Sequence, residues 1–432
     1  MDTFGPGGSQ SALRSANEAR VLETLRSRGA LTQAELARRT SLAPSTVSKI
    51  VHTLLEAGVV DMEADKQGRR GQLVTLSSSA GLVVGIDMGR DHVHVALANL
   101  AHQVVAEQHR TLPQGHSMAK GLGSADETIT ELLDGLGIPR ERVVSACLSI
   151  PAPVDAEGMI SATALMPGWT GVSLATAAER ALGLPVLVEN DANLGALGEA
   201  TWGAGRDIRN VVYLKLAAGI GAGLILNGEI FRGATGTAGE IGHTTVVENG
   251  AVCQCGNRGC LETVANAPHV IDLLTPTHGR LGIPRIVELA RAGDPGCRRV
   301  LGDTGRVVGL AVANLCNLVN PQRLIVGGEL SAAEDLLLRP MGESVRLNGI
   351  PAAVRSLEIV RAELGARAHV LGAVAYALAH VTPEALTATA TGAATDREAV
   401  GEDGTDREAV GEDGTGPDAH DRSVAEPAPT HR

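Results

Sequence analysis

The stretch GEIGHTTVVENGAVCQCGNRGCLE, residues Gly239 to Glu262, gathers three of the chain's six cysteines into eight consecutive positions. Cys253, Cys255 and Cys260 are spaced so that a glycine-rich knuckle can wrap a single ion, and Gly256 and Gly259 supply the turn freedom this requires. Zinc takes four ligands in a tetrahedron, and His243 is the nearest imidazole upstream, so the spacing predicts a closed structural site of the Cys3His kind. Glu240 stands three residues before His243, and Glu262 two after Cys260. A metal-pinned loop would therefore hold two carboxylates beside one imidazole. If one ring nitrogen of His243 binds zinc, the other can donate to a ligand hydroxyl while the carboxylates accept from its neighbours. That pattern suits a polyhydroxylated ligand, with solvated acids beside a purely structural zinc as the bland alternative.

EIGH followed by CxCGxxGCLE, with an upstream ENDAN and the glycine-rich AAGIGAGL, resembles the ROK family of bacterial sugar kinases and sugar-responsive transcriptional regulators. The likeness covers roughly residues 81 to 381 and, in the regulator branch, the N-terminal segment as well. It implies zinc on His243, Cys253, Cys255 and Cys260, and sugar contacts from Asn190, Asp191, Glu240, His243 and Glu262. It also implies a two-lobed α/β domain of the actin-like, ribonuclease H-like fold, preceded by an α+β winged helix-turn-helix.

A chain of 432 residues, 44% hydrophobic, can bury a sizeable core in two to four domains. Cys147, Cys297 and Cys316 lie in apolar runs, as in a reducing compartment. The N-terminus lacks a signal-peptide pattern, and no run approaches 18 uncharged apolar residues. The expectation is a soluble cytoplasmic protein with no membrane partner. The net charge of -12 is unevenly spread: residues 1–80 carry ten Lys and Arg against eight Asp and Glu, whereas 382–432 carry four against twelve. Only the front of the chain can meet a phosphate backbone comfortably.

Residues 1–14 are Gly/Ser-rich and read as a flexible N-terminus; 15–80 read as the DNA-binding domain. Val21, Leu22 and Leu25 sit at helical spacing in 16–28. Thr32 and Glu35 form a capping box for a second helix, with Leu31 as a staple outside it. Pro44 opens a third helix whose Val47, Ile50, Val51, Leu54 and Leu55 line one face. Its other face shows Ser45, Thr46, Ser48, Lys49 and His52, short donors placed as a recognition helix places them. Two short strands, VVDM and QLVTL, flank a wing carrying Lys66, Arg69 and Arg70. Phe4 is the only aromatic residue in 1–80, so duplex readout is favoured over stacking on single strands.

From residue 81 the pattern becomes strand-rich. LVVGIDMG, VHVALANL and HQVVAEQ read as a meander, and a helix is expected over about 117–136. VVSACLSI and LPVLVEND follow as strands, the latter delivering Asn190 and Asp191 at its carboxyl end, where ligands of α/β sheets gather. Asp191 alternatively serves as a helix N-cap. VVYLKLAAGIGAGLILNG reads as strand, glycine turn, strand, which excludes a dinucleotide fingerprint because that must open a helix. Helix is expected over 303–319 and at the closing HVLGAVAYALAH, with RLIVGG a strand between them. The tail, 382–432, repeats TDREAVGEDG and reads as disordered.

Two functions share this sugar site, a kinase and a regulator. The kinases it resembles carry a DxGGTK-like turn and a second GTG-like turn at the phosphates. Here the corresponding residues are Asp87 to His92, DMGRDH, and Ala217 to Gly219, AAG. An arginine replaces the second glycine, a carboxylate follows it, and both threonines are missing. Phosphoryl transfer is mostly positioning and charge stabilisation, so this loss is costly. Asp191 occupies the place of the kinases' general base and reads as vestigial. PAPVD at 151–155 departs from the family's PGxVD, which bears on sugar contacts by that loop. The resulting expectation is a repressor of carbohydrate genes, responsive to a sugar or sugar phosphate. It would bind a palindromic DNA duplex as a homodimer or higher homo-oligomer, with a weak ATP-dependent sugar kinase as the alternative.

Overall fold

The computed structural model describes residues 10–64, 72–78, 80–155, 158–160, 169 and 173–382. The wing-tip residues Lys66, Arg69 and Arg70 and the acidic repeats lie outside the described residues, as do residues 1–9.

Three helices and a three-stranded sheet form the N-terminal module: α1 (Gln10–Arg28), β1 (Leu31–Thr32), α2 (Gln33–Thr40), α3 (Pro44–Glu56), β2 (Val60–Ala64) and β3 (Gln72–Leu76). α1 starts earlier than the flexible-terminus reading allows, since residues 10–14 are already helical. The capping box is present in full: Glu35 N–H donates to the Thr32 hydroxyl at 3.2 Å, and Thr32 N–H donates to the Glu35 carboxylate at 2.9 Å. Leu31 is more than a staple. Its short strand pairs with β3, Leu31 opposite Val74, and β3 pairs in turn with β2, so the sheet order is β1-β3-β2. Leu22, Leu25, Leu36, Val47, Leu54 and Val74 close the core, all wholly or almost wholly buried.

Two five-stranded sheets follow. The first contains β4 (Leu82–Met88), β5 (His92–Asn99), β6 (Val104–Thr111), β7 (Val143–Ile150) and β8 (Val186–Asn190), with α4 (Met118–Leu136), α5 (Leu174–Leu182) and α6 (Asp191–Trp202) between and after the strands. The second contains β9 (Val211–Leu216), β10 (Ile220–Leu226) and β11 (Glu229–Ile230). Short α7 (Glu262–Ala265) then leads to α8 (Ala267–His278), α9 (Ile283–Arg291) and α10 (Pro295–Val319). β12 (Arg323–Gly327), α11 (Asp335–Asn348), α12 (Pro351–Val354), β13 (Glu358–Arg361) and α13 (Ala368–Ala379) complete the chain. The orders, β6-β5-β4-β7-β8 and β11-β10-β9-β12-β13, are equivalent, with an antiparallel meander first and two parallel strands after it. This is the duplicated actin-like architecture.

Every position of β4 is buried because both faces are covered. Val84 and Ile86 pack with Ile129 and Leu133 of α4, while Val83 packs with Val370 and Val374 of α13. α13 also approaches α6 closely: a Cβ on Gly372 would lie 1.8 Å from the Leu194 carbonyl, so only glycine lets the two backbones touch. The same core continues into the N-terminal module, and the Arg26 guanidinium of α1 donates to the Val381 carbonyl just beyond α13. α10 is longer than the 303–319 reading, because Asp294 caps it by accepting from Cys297 N–H at 2.8 Å.

Candidate functional site

A cleft of about 670 Å³ is lined by β4, the ends of β8 and β9, the 217–221 turn and the metal-type knuckle. Asn190, Asp191, Glu240, His243 and Glu262 all line it, brought together from sequence positions as much as 72 residues apart. That volume is within the usual range for a small-molecule site.

At the end of β8 the capping role falls to Asn190 rather than to Asp191. The Asn190 side-chain oxygen accepts from Ala192 N–H (2.9 Å) and Asn193 N–H (3.2 Å), and its amide donates to the Ala152 carbonyl at 3.1 Å. Asn190 thereby ties the 151–153 loop to the cleft. Asp191, the first residue of α6, is left free of capping and forms an ion pair with Lys215 of β9. Burial works against the Lys215 charge, but the adjoining Asp191 carboxylate overrides it and holds the ammonium above its ordinary pKa.

Glu262 opens α7 and accepts from Ile220 N–H at 3.1 Å, which anchors the 217–221 turn to the knuckle. Glu240 lies 3.6 Å from Nε2 of His243; burial raises its pKa, with His243 opposing. The Nδ1 of His243 faces the thiols, 3.5 Å from Cys253 Sγ, and Cys255 and Cys260 Sγ are 3.7 Å apart. One ligand atom from each of the four residues lies within 4.8 Å of every other. Zinc–sulfur bonds of about 2.3 Å in a tetrahedron give edges of about 3.8 Å, so the donor set fits a zinc ion. Gly256 and Gly259 adopt φ of 89° and 66°, as the tight knuckle requires. The thiols are all free, and their 3.7 Å separation is not that of a disulfide.

The turn after β4 differs from a phosphate cradle in a further way. The imidazole of His92 folds back over Gly89 so closely that a Cβ there would lie 2.1 Å from its ring. His92 is held at 3.3 Å by Asp87 and at 3.1 Å by Asp91, and these hydrogen bonds, Asp87's foremost, outweigh its desolvation and raise its pKa to about 9. Asp87 also accepts from the Ser149 hydroxyl at 2.9 Å and faces His369 of α13 at 3.5 Å. Burial pushes the Asp87 pKa up, but His369 and His92 together bring it well below the carboxylate range. Arg90 stands beside them, its Nε buried with no hydrogen-bond partner among the described residues.

Lys215, His94, His109 and His369 are cleft residues that the motifs did not single out. One signal was available: an ionisable lysine inside the apolar run VVYLKL, a placement that favours functional sites. His92 and His94 alternate along β5, and His109 pairs opposite His94.

In the N-terminal module, α3 buries Val47, Ile50, Val51 and Leu54 and exposes Ser45, Ser48, Lys49 and His52, with Thr46 half-buried. His52 lies 3.3 Å from Glu56, both of them well exposed. Arg38 and Arg39, in the last turn of α2, are also exposed. They were not picked out from the sequence, although the first helix of such a motif crosses the phosphate backbone.

The fold and cleft define a sugar-kinase-like two-lobed domain joined to a winged helix. Residues 83–380 match the ROK family and residues 14–71 the MarR family; the chain belongs to the ROK family. It is 29% identical over 392 residues to a xylose repressor of Caldicellulosiruptor bescii, covering 85% of this chain and 96% of that protein. A crystal structure of a ROK family transcriptional regulator, a homologue of the E. coli Mlc protein, matches with a TM-score of 0.73 and 26% identity. It covers 88% of this chain and 98% of its own. A ROK family glucokinase from Streptomyces griseus, in complex with glucose and AMPPNP, matches with a TM-score of 0.61 and 27% identity, covering 69% of this chain and 99% of its own. The fold is thus shared by regulators and kinases.

Proposed function

We propose that this protein is a sugar-responsive DNA-binding transcriptional regulator, a repressor of carbohydrate genes. The observation that carries this reading is the joining of a winged helix to a kinase-like cleft whose phosphate turn is filled by His92. A sugar or sugar phosphate binds among Asp191, Glu240, His243 and Glu262, where carboxylate acceptors and an imidazole suit vicinal hydroxyls. Asn190 shapes this site, since three side-chain hydrogen bonds are internal and one amide hydrogen remains for a ligand. Zinc on His243, Cys253, Cys255 and Cys260 organises the knuckle and fixes which face of His243 meets the ligand. Asp191 binds a hydroxyl without removing its proton, being already paired with Lys215.

The similarity to a xylose repressor and to a regulator homologous to Mlc supports the same reading. Ser45, Thr46, Ser48, Lys49 and His52, with the wing's Lys66, Arg69 and Arg70, contact the base edges and phosphates of a palindromic operator through a homodimer in the cytoplasm. No helix among the described residues is long and apolar enough to cross a membrane. A thermal-shift screen of monosaccharides and their phosphates, paired with an ATP-consumption assay, tests the proposal. A ligand that raises the melting temperature without ATP turnover is expected. Robust turnover abolished by Asp191→Asn would establish a kinase instead.

A further inference from the structure

The end of α8 and the start of α10 bring three metal-type donors together away from the cleft and the knuckle. His278 is the last residue of α8, Asp294 is the N-cap of α10, and Cys297 lies in the first turn of α10. One donor atom from each of the three lies within 4.8 Å of the other two. Asp294 spends one carboxylate oxygen on the cap, where Oδ1 accepts from Cys297 N–H at 2.8 Å, and turns Oδ2 to Nε2 of His278 at 3.1 Å. The other ring nitrogen is fixed as well. Thr277 donates its hydroxyl proton to the Leu274 carbonyl at 3.2 Å, so its oxygen accepts from Nδ1–H of His278 at 2.7 Å. In the neutral ring Nε2 then presents a lone pair to a carboxylate oxygen, and two acceptors so close need a proton or a metal ion between them. Gly296 makes room for this arrangement. A Cβ there would lie 3.3 Å from Cε1 of His278 and 3.4 Å from Oδ1 of Asp294, so the missing side chain lets the imidazole lie against the helix start.

We infer that His278, Asp294 and Cys297 form a metal site separate from the knuckle, for a divalent ion of the zinc and cobalt class. Donor chemistry selects the ion. One imidazole, one thiolate and one carboxylate make a borderline-soft set, whereas magnesium and calcium take oxygen ligands. Geometry agrees. Bonds of about 2.0 Å to nitrogen and oxygen in a tetrahedron give an edge of about 3.3 Å, close to the 3.1 Å between Nε2 and Oδ2. The corresponding edge to sulfur is about 3.5 Å, which a small turn of the Cys297 side chain reaches. An ion has a path inward, since the side chains of His278 and Asp294 are 21% and 26% exposed while Cys297 forms the buried floor. Three protein donors leave the fourth position to water. Burial, with Asp294 adding to it, pushes the Cys297 thiol up to about 11, and binding must remove that proton. The site therefore holds metal less tightly than the four-donor knuckle and fills only when metal is supplied. A bound ion clamps the end of α8 to the start of α10 across α9, which makes the helical layer of the second lobe responsive to metal supply.

Titration of the full-length protein with cobalt(II), after incubation with one equivalent of zinc to fill the knuckle, tests this by visible and near-ultraviolet absorption. Wild type should take up one further equivalent, with the bands of a four-coordinate ion and a thiolate-to-cobalt charge-transfer band. His278→Gln and Asp294→Asn should each weaken that uptake by about 100-fold or more. Asparagine caps a helix as well as aspartate does, so Asp294→Asn keeps the start of α10 while losing the charge. Cys297→Ser should abolish the charge-transfer band; because Cys297 is buried, a variant that melts early is set aside and the two half-exposed positions decide. Excess zinc should raise the melting temperature of wild type above that of the one-equivalent protein, and do so for neither His278→Gln nor Asp294→Asn. Uptake that is equally tight in those two variants would place the cobalt elsewhere and overturn the site. Absence of any uptake beyond the first equivalent would overturn it too, leaving His278 and Asp294 as an ion pair only.

Discussion

Lys215 on β9 and Asp191 at the start of α6, directly after β8, form an ion pair inside the cleft that joins the two sheets. The pair accounts for a carboxylate that is retained but already engaged. Because both side chains are mostly buried, removing either partner leaves a charge without compensation. Asp191→Asn and Lys215→Met should each lower stability by about 1–3 kcal/mol, and the double variant by clearly less than the sum. Urea melts of the four proteins measure the coupling; additive losses would show that the pair is only apparent.

The knuckle should bind one zinc ion per chain. Elemental analysis of protein purified without added metal is expected to give a ratio near one, and Cys255→Ser should lower it sharply. The same variant should weaken sugar binding, since Glu240 and Glu262 stand on either side of the knuckle. Wild-type protein holding far less than one zinc would contradict the site.

His92 makes stability depend on pH in a definite direction. Its folded pKa, about 9, is above the ordinary 6.5, so its contribution is fully present below about pH 6.5 and is lost as pH rises through 9. The shift corresponds to at most about 3 kcal/mol, less what the 30% solvent exposure of its side chain screens. Denaturant melts from pH 6 to 10 should show this decline in wild type and a flatter profile in His92→Gln. Equal slopes would contradict the assignment.

Lys49 and Arg38 are exposed on α3 and α2 and should contact phosphates rather than base edges. Lys49→Ala or Arg38→Ala should weaken operator binding about equally for cognate and altered sequences. Each should reduce the slope of log affinity against log salt by about 1. A loss confined to one base position would assign the residue to direct readout.

Much of this architecture was legible because it depends on local chemistry. The Thr32–Glu35 box, Pro44 at the start of α3 and the cysteine knuckle each involve neighbours in sequence whose geometry follows from their spacing. The five expected sugar residues share one cleft because strand ends and turns brought them there. What escaped notice was decided across the fold. The partner of Asp191 is 24 residues away on another sheet, and the imidazole over Gly89 depends on a side-chain rotamer. The N-cap went to Asn190 instead of Asp191 because the helix begins one residue earlier than the strand pattern suggests. α8, α9 and α11 went unread: proline interrupts α8 and α11, while α9 was passed over although Ile283, Ile286, Val287 and Ala290 recur at helical spacing. Pro276 and Pro340 lie inside the first and last of these.

The central claim is that a sugar in the cleft changes the grip of α3 on DNA. Operator affinity should be titrated at fixed salt with and without a saturating sugar, chosen as one that raises the melting temperature. Wild type should show a change of roughly 5- to 150-fold, the usual range for coupled sites, and Glu240→Gln should blunt it while leaving sugar-free operator binding intact. Operator affinity that stays the same for every ligand demonstrably bound would contradict the account.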